Sequence, residues 1–379
     1  MDISIAGGGL GGLAAAAALH QDGHTVTVFE RSLETSQGGA GIGIAPQGVR
    51  ALDRIGLGEA VRALTVPGDG DGTTRDRNGR PLIQVDHEAL AANGQDPLVS
   101  LPRRTLAALL HDQLPEDTVR APATVVNADP ASGLIETDSE KVPADVVVAA
   151  DGARSRIRRT LVVDHPGLRR SGELAAQAIV PDLGQDVSPI IGELMDHRTG
   201  ARFGCLPMAE GTVYWYALWP AGANAPGERT DRSQVLEWLR WTRYDWHPLV
   251  GDLLAKTDPA TMHVAETAAL ARPLPSFALD RVALLGDAAH AMTPDLGQGA
   301  TQAFADAIAL ADCLKGADRA SAPARLRRYD ALRRPPTSRM LYAAWATQKF
   351  GTLRGGLGML RDQAMRMIPP GLATRMMAG

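Results

Sequence analysis

The feature that most limits the fold is a glycine run, Gly7 to Gly12, between two short apolar segments near the start of the chain. Residues 3–6 have the sequence Ile-Ser-Ile-Ala, which predicts a buried strand, and residues 25–30, Thr-Val-Thr-Val-Phe-Glu, predict a second strand. The intervening residues 13–20 predict a helix that ends at Asp22-Gly23. This order predicts a strand–helix–strand unit with the dinucleotide fingerprint Gly-x-Gly-x-x-Gly.

Each glycine of this fingerprint has its own part in holding a pyrophosphate. Gly7 permits the tight turn, Gly9 lets the backbone approach the phosphate, and Gly12 lets the helix pack on the sheet. The helix N-terminus offers unpaired N–H groups. Glu30 ends the second strand, where its carboxylate can bind ribose hydroxyls and would repel a 2′-phosphate. We therefore predict an FAD or NAD site that includes Glu30 and the adjacent Arg31; a glycine-rich turn without a ligand is the alternative.

Two later segments also place a glycine and an aspartate directly after an apolar strand. Residues 145–150 form an almost continuous apolar run, typical of a parallel strand buried on both faces, and end in Asp151-Gly152. Residues 281–285 lead to Gly286-Asp287. Ligands of open α/β sheets collect at the carboxyl ends of the strands. We expect all three segments to meet at one edge of a sheet.

Together the three segments resemble those of the single-component FAD-dependent aromatic hydroxylases, the class A flavoprotein monooxygenases. The resemblance covers nearly the whole chain and implies FAD as cofactor. It implies that Arg103, with Arg104 as the adjacent alternative, reaches the ribityl–phosphate region of FAD. It also implies that Asp151 and Gly152 organise the pyrophosphate side and that Asp287 binds the ribityl hydroxyls. Further residues that the resemblance places at the cofactor are Gly286, Pro294, Gly297, Gln298, Gly299 and Ala300.

The resemblance makes three finer points about the flavin region. The N-terminus of the helix predicted over residues 300–314 would stabilise negative charge on reduced flavin. Relatives often carry asparagine where this chain has Thr301, which puts one flavin contact in doubt. The segment Gly38–Ile44 would run beside the flavin ring, or form an ordinary glycine-rich loop. We interpret His290 as a structural residue.

The predicted fold class is α/β: a Rossmann-like FAD-binding domain with an inserted antiparallel-sheet substrate domain and a C-terminal helix. The predicted FAD-binding domain is discontinuous, comprising residues 1–66, 100–165 and 265–340. Residues 67–99 and 166–264 are assigned to the substrate-binding domain, and 341–379 to a C-terminal helical segment. Residues 67–78 predict a loop crossing between the domains. The C-terminal helix is expected to pack on the FAD-binding domain, with contact to a partner or a membrane surface as the alternative.

Nine of the 16 aromatic residues fall between residues 203 and 246. Residues 201–208 and 212–219 predict a hairpin, and residues 233–244 predict a helix. An antiparallel sheet over the flavin would give an apolar, aromatic-lined pocket with few polar anchors. Arg202 and Tyr214 resemble an Arg and Tyr pair at matching spacing in a hydroxylase for urate. With Pro294 they are the candidate catalytic residues; core aromatics and a solvated arginine are the alternative, and the sequence names no catalytic base.

The composition limits the partners. A net charge of −4 gives no basic field for nucleic acid. Cys205 and Cys313 lack metal-ligand spacing, so no metal site is predicted, and we expect both to be reduced and buried. No segment predicts a signal peptide or an integral membrane helix. We expect a cytoplasmic monomer or homodimer.

The function implied by the resemblance is an FAD-dependent monooxygenase. It would consume NADPH or NADH as a transient co-substrate and hydroxylate an electron-rich aromatic or heteroaromatic small molecule with O2, through a flavin C4a-hydroperoxide. The chain has no second Gly-x-Gly-x-x-Gly for a nicotinamide nucleotide, which agrees with transient binding. The alternatives are an epoxidase or oxidative decarboxylase of the same superfamily and a non-catalytic flavin-binding protein. A flavin-dependent halogenase is disfavoured because no lysine precedes Lys141.

Overall fold

The computed structural model describes residues 1–33, 40–66, 73–83, 98–181 and 192–372. Its strands are, in chain order, β1 (Asp2–Ala6), β2 (Thr25–Phe29), β3 (Gly41–Ile44), β4 (Thr73–Asp76), β5 (Pro81–Ile83), β6 (Val99–Pro102), β7 (Val119–Arg120), β8 (Val125–Asp129), β9 (Leu134–Thr137), β10 (Lys141–Pro143), β11 (Val146–Ala149), β12 (Leu168–Val180), β13 (Gly192–Met195), β14 (Arg202–Pro207), β15 (Val213–Pro220), β16 (His263–Leu270), β17 (Ala278–Leu279) and β18 (Val282–Leu284). Its α-helices are α1 (Leu10–Gln21), α2 (Pro46–Asp53), α3 (Gly58–Arg62), α4 (Arg103–His111), α5 (Arg156–Leu161), α6 (Arg232–Thr242), α7 (Pro248–Lys256), α8 (Asp287–His290), α9 (Gly299–Leu314), α10 (Ala322–Gly351) and α11 (Gly356–Arg366).

A six-stranded sheet with the order β17-β18-β11-β1-β2-β7 forms the first layer. All its neighbouring strands run parallel except β17 and β18. Every residue of β11 is buried, as expected for a parallel strand that is covered on both faces. The predicted strand–helix–strand unit is confirmed as β1, α1 and β2. Because β1, β11 and β18 are neighbours, the glycine run and the two segments with a glycine and an aspartate leave the sheet side by side.

A seven-stranded sheet with the order β16-β12-β15-β14-β13-β4-β5 forms the second layer. Its pairs are antiparallel except β13 with β4. The predicted hairpin is confirmed as β14 and β15, with Arg202 opposite Leu218 and Pro207 opposite Val213. The predicted helix over residues 233–244 is confirmed as α6. This sheet and its two covering helices share a separate core from the parallel sheet.

The prediction of a loop over residues 67–78 was wrong for its second half. Residues 73–76 form β4, which pairs in parallel with β13 and antiparallel with β5; residues 67–72 lie outside the described residues. The glycines of this segment, at positions 68, 70 and 72, all precede the strand. β4 itself has the sequence Thr-Thr-Arg-Asp, in which the threonines favour a strand, and its backbone pairs with two neighbouring strands.

Only part of the predicted C-terminal segment packs as expected. Residues 341–351 complete α10, and Leu341 and Trp345 belong to the core of the parallel sheet, whereas α11 packs elsewhere. Helix α11 contacts β5 of the seven-stranded sheet and buries Met365 against Leu82 and Met195. Arg361 anchors its start by donating to the carbonyl oxygens of Gly351 and Leu353. An amphipathic pattern shows that a face is buried but not against which element. Of the helices that the structure describes, none is long and apolar enough to cross a membrane.

The aromatic cluster mostly lines the core of the second sheet rather than the pocket predicted for it. Strand residues alternate between faces, so Trp215 and Trp219 point to the helix-covered side while Tyr214 and Tyr216 point to the other side. Phe203 stacks on Trp215 with ring centroids 5.4 Å apart. The expectation of an apolar, aromatic-lined pocket is therefore corrected: the face turned towards the parallel sheet is polar.

Candidate cofactor and substrate site

The glycine run forms a loop in which two positions have no room for a side chain. Gly7 has φ +106°, and a Cβ there would lie 2.4 Å from the carbonyl oxygen of Ala150. A Cβ on Gly12 would lie 2.0 Å from the carbonyl oxygen of Gly7. Gly9, by contrast, faces open space, and no side chain caps the helix N-terminus that it begins. The loop therefore presents bare backbone N–H groups in the way that a pyrophosphate site requires.

Glu30 lies directly beside this loop. Its Oε2 accepts a hydrogen bond from the backbone N–H of Gly8 at 2.6 Å, and its Oε1 accepts one from Ser32 at 3.0 Å. Both oxygens keep a second lone pair for a ligand hydroxyl. The neighbouring Arg31 is exposed.

Asp151 is held at the N-terminus of α5 and keeps one oxygen unpaired. Its Oδ2 accepts hydrogen bonds from the backbone N–H groups of Arg156 at 2.7 Å and Ile157 at 3.3 Å. Its Oδ1 is buried and has no hydrogen-bond partner among the residues that the structure describes. Gly152 follows with φ +78°. A buried acceptor without a partner is costly unless a ligand completes it, so Asp151 fits a role at the cofactor.

Arg158 joins the second and third segments, a role that the sequence did not reveal. Its buried guanidinium donates to the carbonyl oxygens of Asp287 at 3.2 Å and Ala288 at 3.0 Å, and also to Ala153. Burial lowers its pKa. The only sequence signal was the position of Arg158 three residues after Ser155, which caps the same helix.

Asp287 and Arg103 face each other at the carboxyl end of β18. Gly286 turns the chain with φ +59°, and the Asp287 side chain that follows is exposed. Arg103 is half-buried near Asp287 and Tyr214, and burial lowers its pKa. Its backbone N–H donates to the carbonyl oxygen of Ala40 at 3.2 Å, but among the described residues its guanidinium has no hydrogen-bond partner. The alternative, Arg104, is exposed. A partly desolvated guanidinium with unused donors fits an anionic or hydroxyl-rich ligand.

The loop before α9 exposes a second helix N-terminus. Pro294–Leu296 forms a 3-10 turn with Pro294 exposed, and Gly297 continues it with φ +61°. Gln298 precedes the helix without a side-chain cap, and Gly299 and Ala300 are half-buried in its first turn. The first N–H groups of α9 are therefore available to a ligand.

Behind this loop, His290 belongs to a buried ion-pair network. Its Nε2 lies 2.5 Å from Oδ2 of Asp306, whose Oδ1 accepts a hydrogen bond from Arg333 Nε at 2.6 Å. Asp306 also accepts the backbone N–H of Gly286 at 3.0 Å. Although burial opposes ionisation, His290 and Arg333 hold the pKa of Asp306 below its usual value. This network supports the Gly286 turn from inside, in agreement with a structural role for His290.

The face of the seven-stranded sheet that carries Glu173, Gln177, Glu193, Arg202, Tyr214 and Tyr216 is its polar face. Arg202 connects this face to the loop before α9. Its Nη2 donates to both oxygens of Glu173 at 2.9 Å and lies 2.7 Å from Oδ1 of Asp295. Its Nη1 lies 3.7 Å from Oε1 of Glu193. Although burial acts in the opposite direction, these three carboxylates raise the pKa of Arg202. Arg202 is thus an internal ion-pair partner, and the solvated arginine considered as the alternative is wrong.

The two tyrosines complete the polar face. Tyr214 donates from its hydroxyl to Oε1 of Gln177 at 2.8 Å, and Tyr216 donates to Oε2 of Glu193 at 3.1 Å. Burial raises the pKa of both phenols, so both remain protonated. A Cβ on Gly41 would lie 2.4 Å from the Tyr214 ring, so the glycine-rich β3 leaves the space that this ring occupies. Gly38 and Gly39 of the same segment lie outside the described residues.

Thr301, which stands where relatives often carry asparagine, is buried. Among the described residues its hydroxyl has no hydrogen-bond partner, and a Cβ on Gly48 of α2 would lie 2.9 Å from it. The threonine therefore packs against α2.

Comparison with known sequences identifies the group to which these features belong. A sequence profile for the FAD binding domain matches residues 1–344. The chain belongs to the FAD-dependent aromatic hydroxylase family. It is an FAD-dependent monooxygenase, with the α/β fold predicted from its sequence and FAD as its cofactor.

Three relatives illustrate the family. The chain is 30% identical to an aurachin C monooxygenase/isomerase of Stigmatella aurantiaca, over 97% of this chain and 94% of that protein. It is 32% identical to the 3-amino-4-hydroxybenzoate 2-monooxygenase PtnB3 of Streptomyces platensis, over 88% and 84% of the two chains. Among solved structures, Klebsiella pneumoniae HpxO complexed with FAD and uric acid superposes with a TM-score of 0.88 at 26% identity, over 100% and 96% of the two chains.

Proposed function

We propose that this enzyme hydroxylates an electron-rich aromatic or heteroaromatic small molecule, with O2 as oxidant and NADH or NADPH as reductant. The observation that carries the proposal is the contact of Arg202 with Asp295. It ties the polar face of the seven-stranded sheet to the loop at the N-terminus of α9. A substrate held on that face would lie next to the cofactor.

Different residues of the site would bind different parts of the cofactor. Glu30 would hold the adenosine ribose, and the N-terminus of α1 the pyrophosphate. Asp151, Arg103 and Asp287 would hold the ribityl chain and its phosphate. The N-terminus of α9 would lie at the ring and stabilise negative charge there. Bound FAD supplies the electron storage and oxygen activation, which no side chain of this site can supply.

The polar face suggests what kind of substrate it orients. The phenol oxygens of Tyr214 and Tyr216 each donate to an internal partner, so their remaining lone pairs can accept from a substrate. Hydroxyl, amino or ring N–H groups would match them. The same groups make an aromatic ring electron-rich. Urate and 3-amino-4-hydroxybenzoate, named for the relatives above, carry such groups.

The side chains on this face provide positioning and exclusion of water. Their donors and acceptors are fixed by internal hydrogen bonds before a substrate arrives, which lowers the cost of orienting it. The elevated phenol pKa values keep both tyrosines neutral, so neither serves as a strong base. An activated phenol or a purine-like ring does not require one.

The test is anaerobic flavin reduction followed by product analysis. The FAD-loaded enzyme is mixed with NADH or NADPH, with and without aminohydroxybenzoates, other phenols, hydroxypyridines, purines and quinolines. We expect at least one compound to accelerate flavin bleaching and, with 18O2, to gain one labelled oxygen atom. The proposal fails if no compound changes the reduction rate and no product carries the label.

The 30% identity to a monooxygenase/isomerase favours one second candidate. In that reaction class the inserted oxygen is followed by rearrangement of the ring, as after an epoxidation. Mass alone does not distinguish the two products. NMR of the product does, because hydroxylation replaces one ring proton and leaves the carbon skeleton intact.

A further inference from the structure

A cavity of about 140 Å³ lies on the helix-covered side of the seven-stranded sheet, on the opposite face from Arg202. Trp219 enters it from β15, and Trp238 and Thr242 enter it from α6. It opens to solvent beside Arg354, which is exposed in the connection between α10 and α11. The thickness of the sheet separates it from the candidate cofactor and substrate site.

A buried guanidinium without sufficient partners lies at one end of this cavity. The Arg243 residue is 3% exposed. Its Nη1 donates to the hydroxyl of Thr242 at 2.9 Å, but Nε and Nη2 have no hydrogen-bond partner in the part of the chain that the structure describes. Asp196 is the carboxylate whose charge acts on it, and the oxygens of Asp196 already accept from Arg198 and Thr199. Burial lowers the pKa of Arg243, which marks a charge that its surroundings leave uncompensated.

Tryptophan rings form the walls of the cavity. The Cζ of Arg243 lies 5.4 Å from the ring centroids of both Trp238 and Trp246. The Trp219 and Trp238 rings lie 5.4 Å apart at an angle of 49°. Cation–π attraction stabilises part of the charge. It does not satisfy the N–H groups in the guanidinium plane, which require an acceptor.

The unpaired N–H groups of Arg243 and the tryptophan rings around the cavity together indicate the chemistry of the ligand. Nε and one Nη of an arginine form the fork that a carboxylate binds with two parallel hydrogen bonds. Apolar cavities of about 150 Å³ accommodate one benzene ring. We propose that this cavity is a binding site for a small aromatic carboxylate, with its ring among Trp219, Trp238 and Trp246 and its carboxylate on Arg243. An inorganic anion would satisfy the donors but leave the aromatic walls without contacts.

Benzoate is the probe for this site, and the FAD-loaded holoenzyme is the sample. Binding is followed by calorimetry and by tryptophan fluorescence, without turnover. We expect benzoate to bind about tenfold or more tightly than its neutral analogue benzamide, because the charged pair of hydrogen bonds is lost in the amide. Equal affinity for the two compounds would overturn the proposal, and this comparison needs no variant.

Variants assign the binding to this cavity rather than to the substrate site. Arg243→Gln should weaken benzoate binding by about tenfold or more, and Arg243→Lys, which keeps the charge but not the fork, should also weaken it. Tyr216→Phe, on the opposite face of the sheet, is the matched control and should leave this affinity unchanged. Circular dichroism and flavin content verify the fold of each variant.

Two outcomes contradict the proposal. Benzoate affinity that is unchanged in Arg243→Gln but lost in Tyr216→Phe would place the ligand in the substrate site. Chloride or phosphate binding that depends on Arg243, without benzoate binding, would make the cavity an inorganic-anion site and exclude the aromatic occupant.

Discussion

At the scale of single residues, the candidate cofactor and substrate site contains polar atoms that are held in position but still have hydrogen-bonding capacity for a ligand. Within the described ranges, Oδ1 of Asp151 has no partner and the guanidinium of Arg103 donates no hydrogen bond. Glu30 uses each oxygen once, on the backbone of its own loop. Preorganised groups of this kind bind a ligand without first breaking strong internal hydrogen bonds.

Glu30→Ala is predicted to weaken FAD binding. The variant loses the acceptor for the ribose and the anchor of the Gly8 N–H group. Hydrogen bonds to a charged group contribute roughly 1.5–3 kcal/mol, so we expect the dissociation constant of FAD to rise by about tenfold or more. Glu30→Gln keeps one carbonyl oxygen and should lie between the two. FAD fluorescence quenching measures the affinity, and an unchanged value in Glu30→Ala would remove the ribose role.

Arg158→Met is predicted to lower both the thermal stability and the FAD content. The substitution leaves the carbonyl oxygens of Asp287, Ala288 and Ala153 without their buried donor, at a cost of about 2–4 kcal/mol. Arg159→Met, an exposed neighbour on the same helix, is the control. Thermal unfolding with and without FAD is the measurement. Equal melting temperatures for the two variants would contradict the role of Arg158 in joining the loops.

Some residues of the site could be predicted from the sequence and others could not, and the reason is physical. The glycines and aspartates after strands could be located because strand ends are marked by local pattern. Arg103 and Arg104 could not be separated, because their orientation depends on where α4 begins. Asp287 and Ala288, two of the partners of Arg158, lie 129 and 130 positions further along the chain, and local sequence carries no signal for them.

At the scale of elements, strands with a strong hydrophobic pattern were predictable and those without it were not. β1, β2, β11, β14 and β15 all follow from apolar runs or alternation. β4 has the sequence Thr-Thr-Arg-Asp and forms only because β13 and β5 supply partners. The alternation of side chains along a strand also determines which aromatic residues lie on the polar face. The sequence of one strand does not reveal which of its two faces lies towards the cofactor.

Glu173, on β12, gives the polar face a pH-dependent stability. Burial raises the pKa of Glu173 despite the attraction of Arg202, because three carboxylates share one guanidinium. A carboxyl with a raised folded pKa contributes stability that is complete below its unfolded pKa of about 4.3 and is lost as the pH rises through the folded value.

We therefore expect Glu173→Gln to flatten the dependence of the melting temperature on pH above about pH 4.3. The expected change in the free energy of unfolding is about 1.4 kcal/mol for each pH unit between the unfolded and folded pKa values. Glu237→Gln, exposed on α6, is the control. Parallel curves for wild type and Glu173→Gln would contradict this assignment.

At the scale of the whole molecule, the antiparallel sheet uses its two faces differently. One face carries the polar residues that meet the loop before α9, and the other carries the tryptophan core and the Arg243 cavity. The sequence predicted the α/β fold class, with a Rossmann-like part and an antiparallel sheet. It did not predict the cavity, because the residues that enclose it come from the turn before β14, from β15, from α6 and the residues just after it, and from the connection after α10.

Helix α10 ties the two layers together over its whole length. Near its start, Tyr329 donates to the carbonyl oxygen of Leu284 in the parallel sheet, and near its end Trp345 donates to that of Leu270 in the antiparallel sheet. Pro335 and Pro336 lie between these anchors and have no backbone N–H to donate to the preceding turn. A displacement of one sheet relative to the other would bend α10, and bending costs least at the turn that contains the two prolines. The middle of α10 is therefore the place where the connection between the two sheets is easiest to deform.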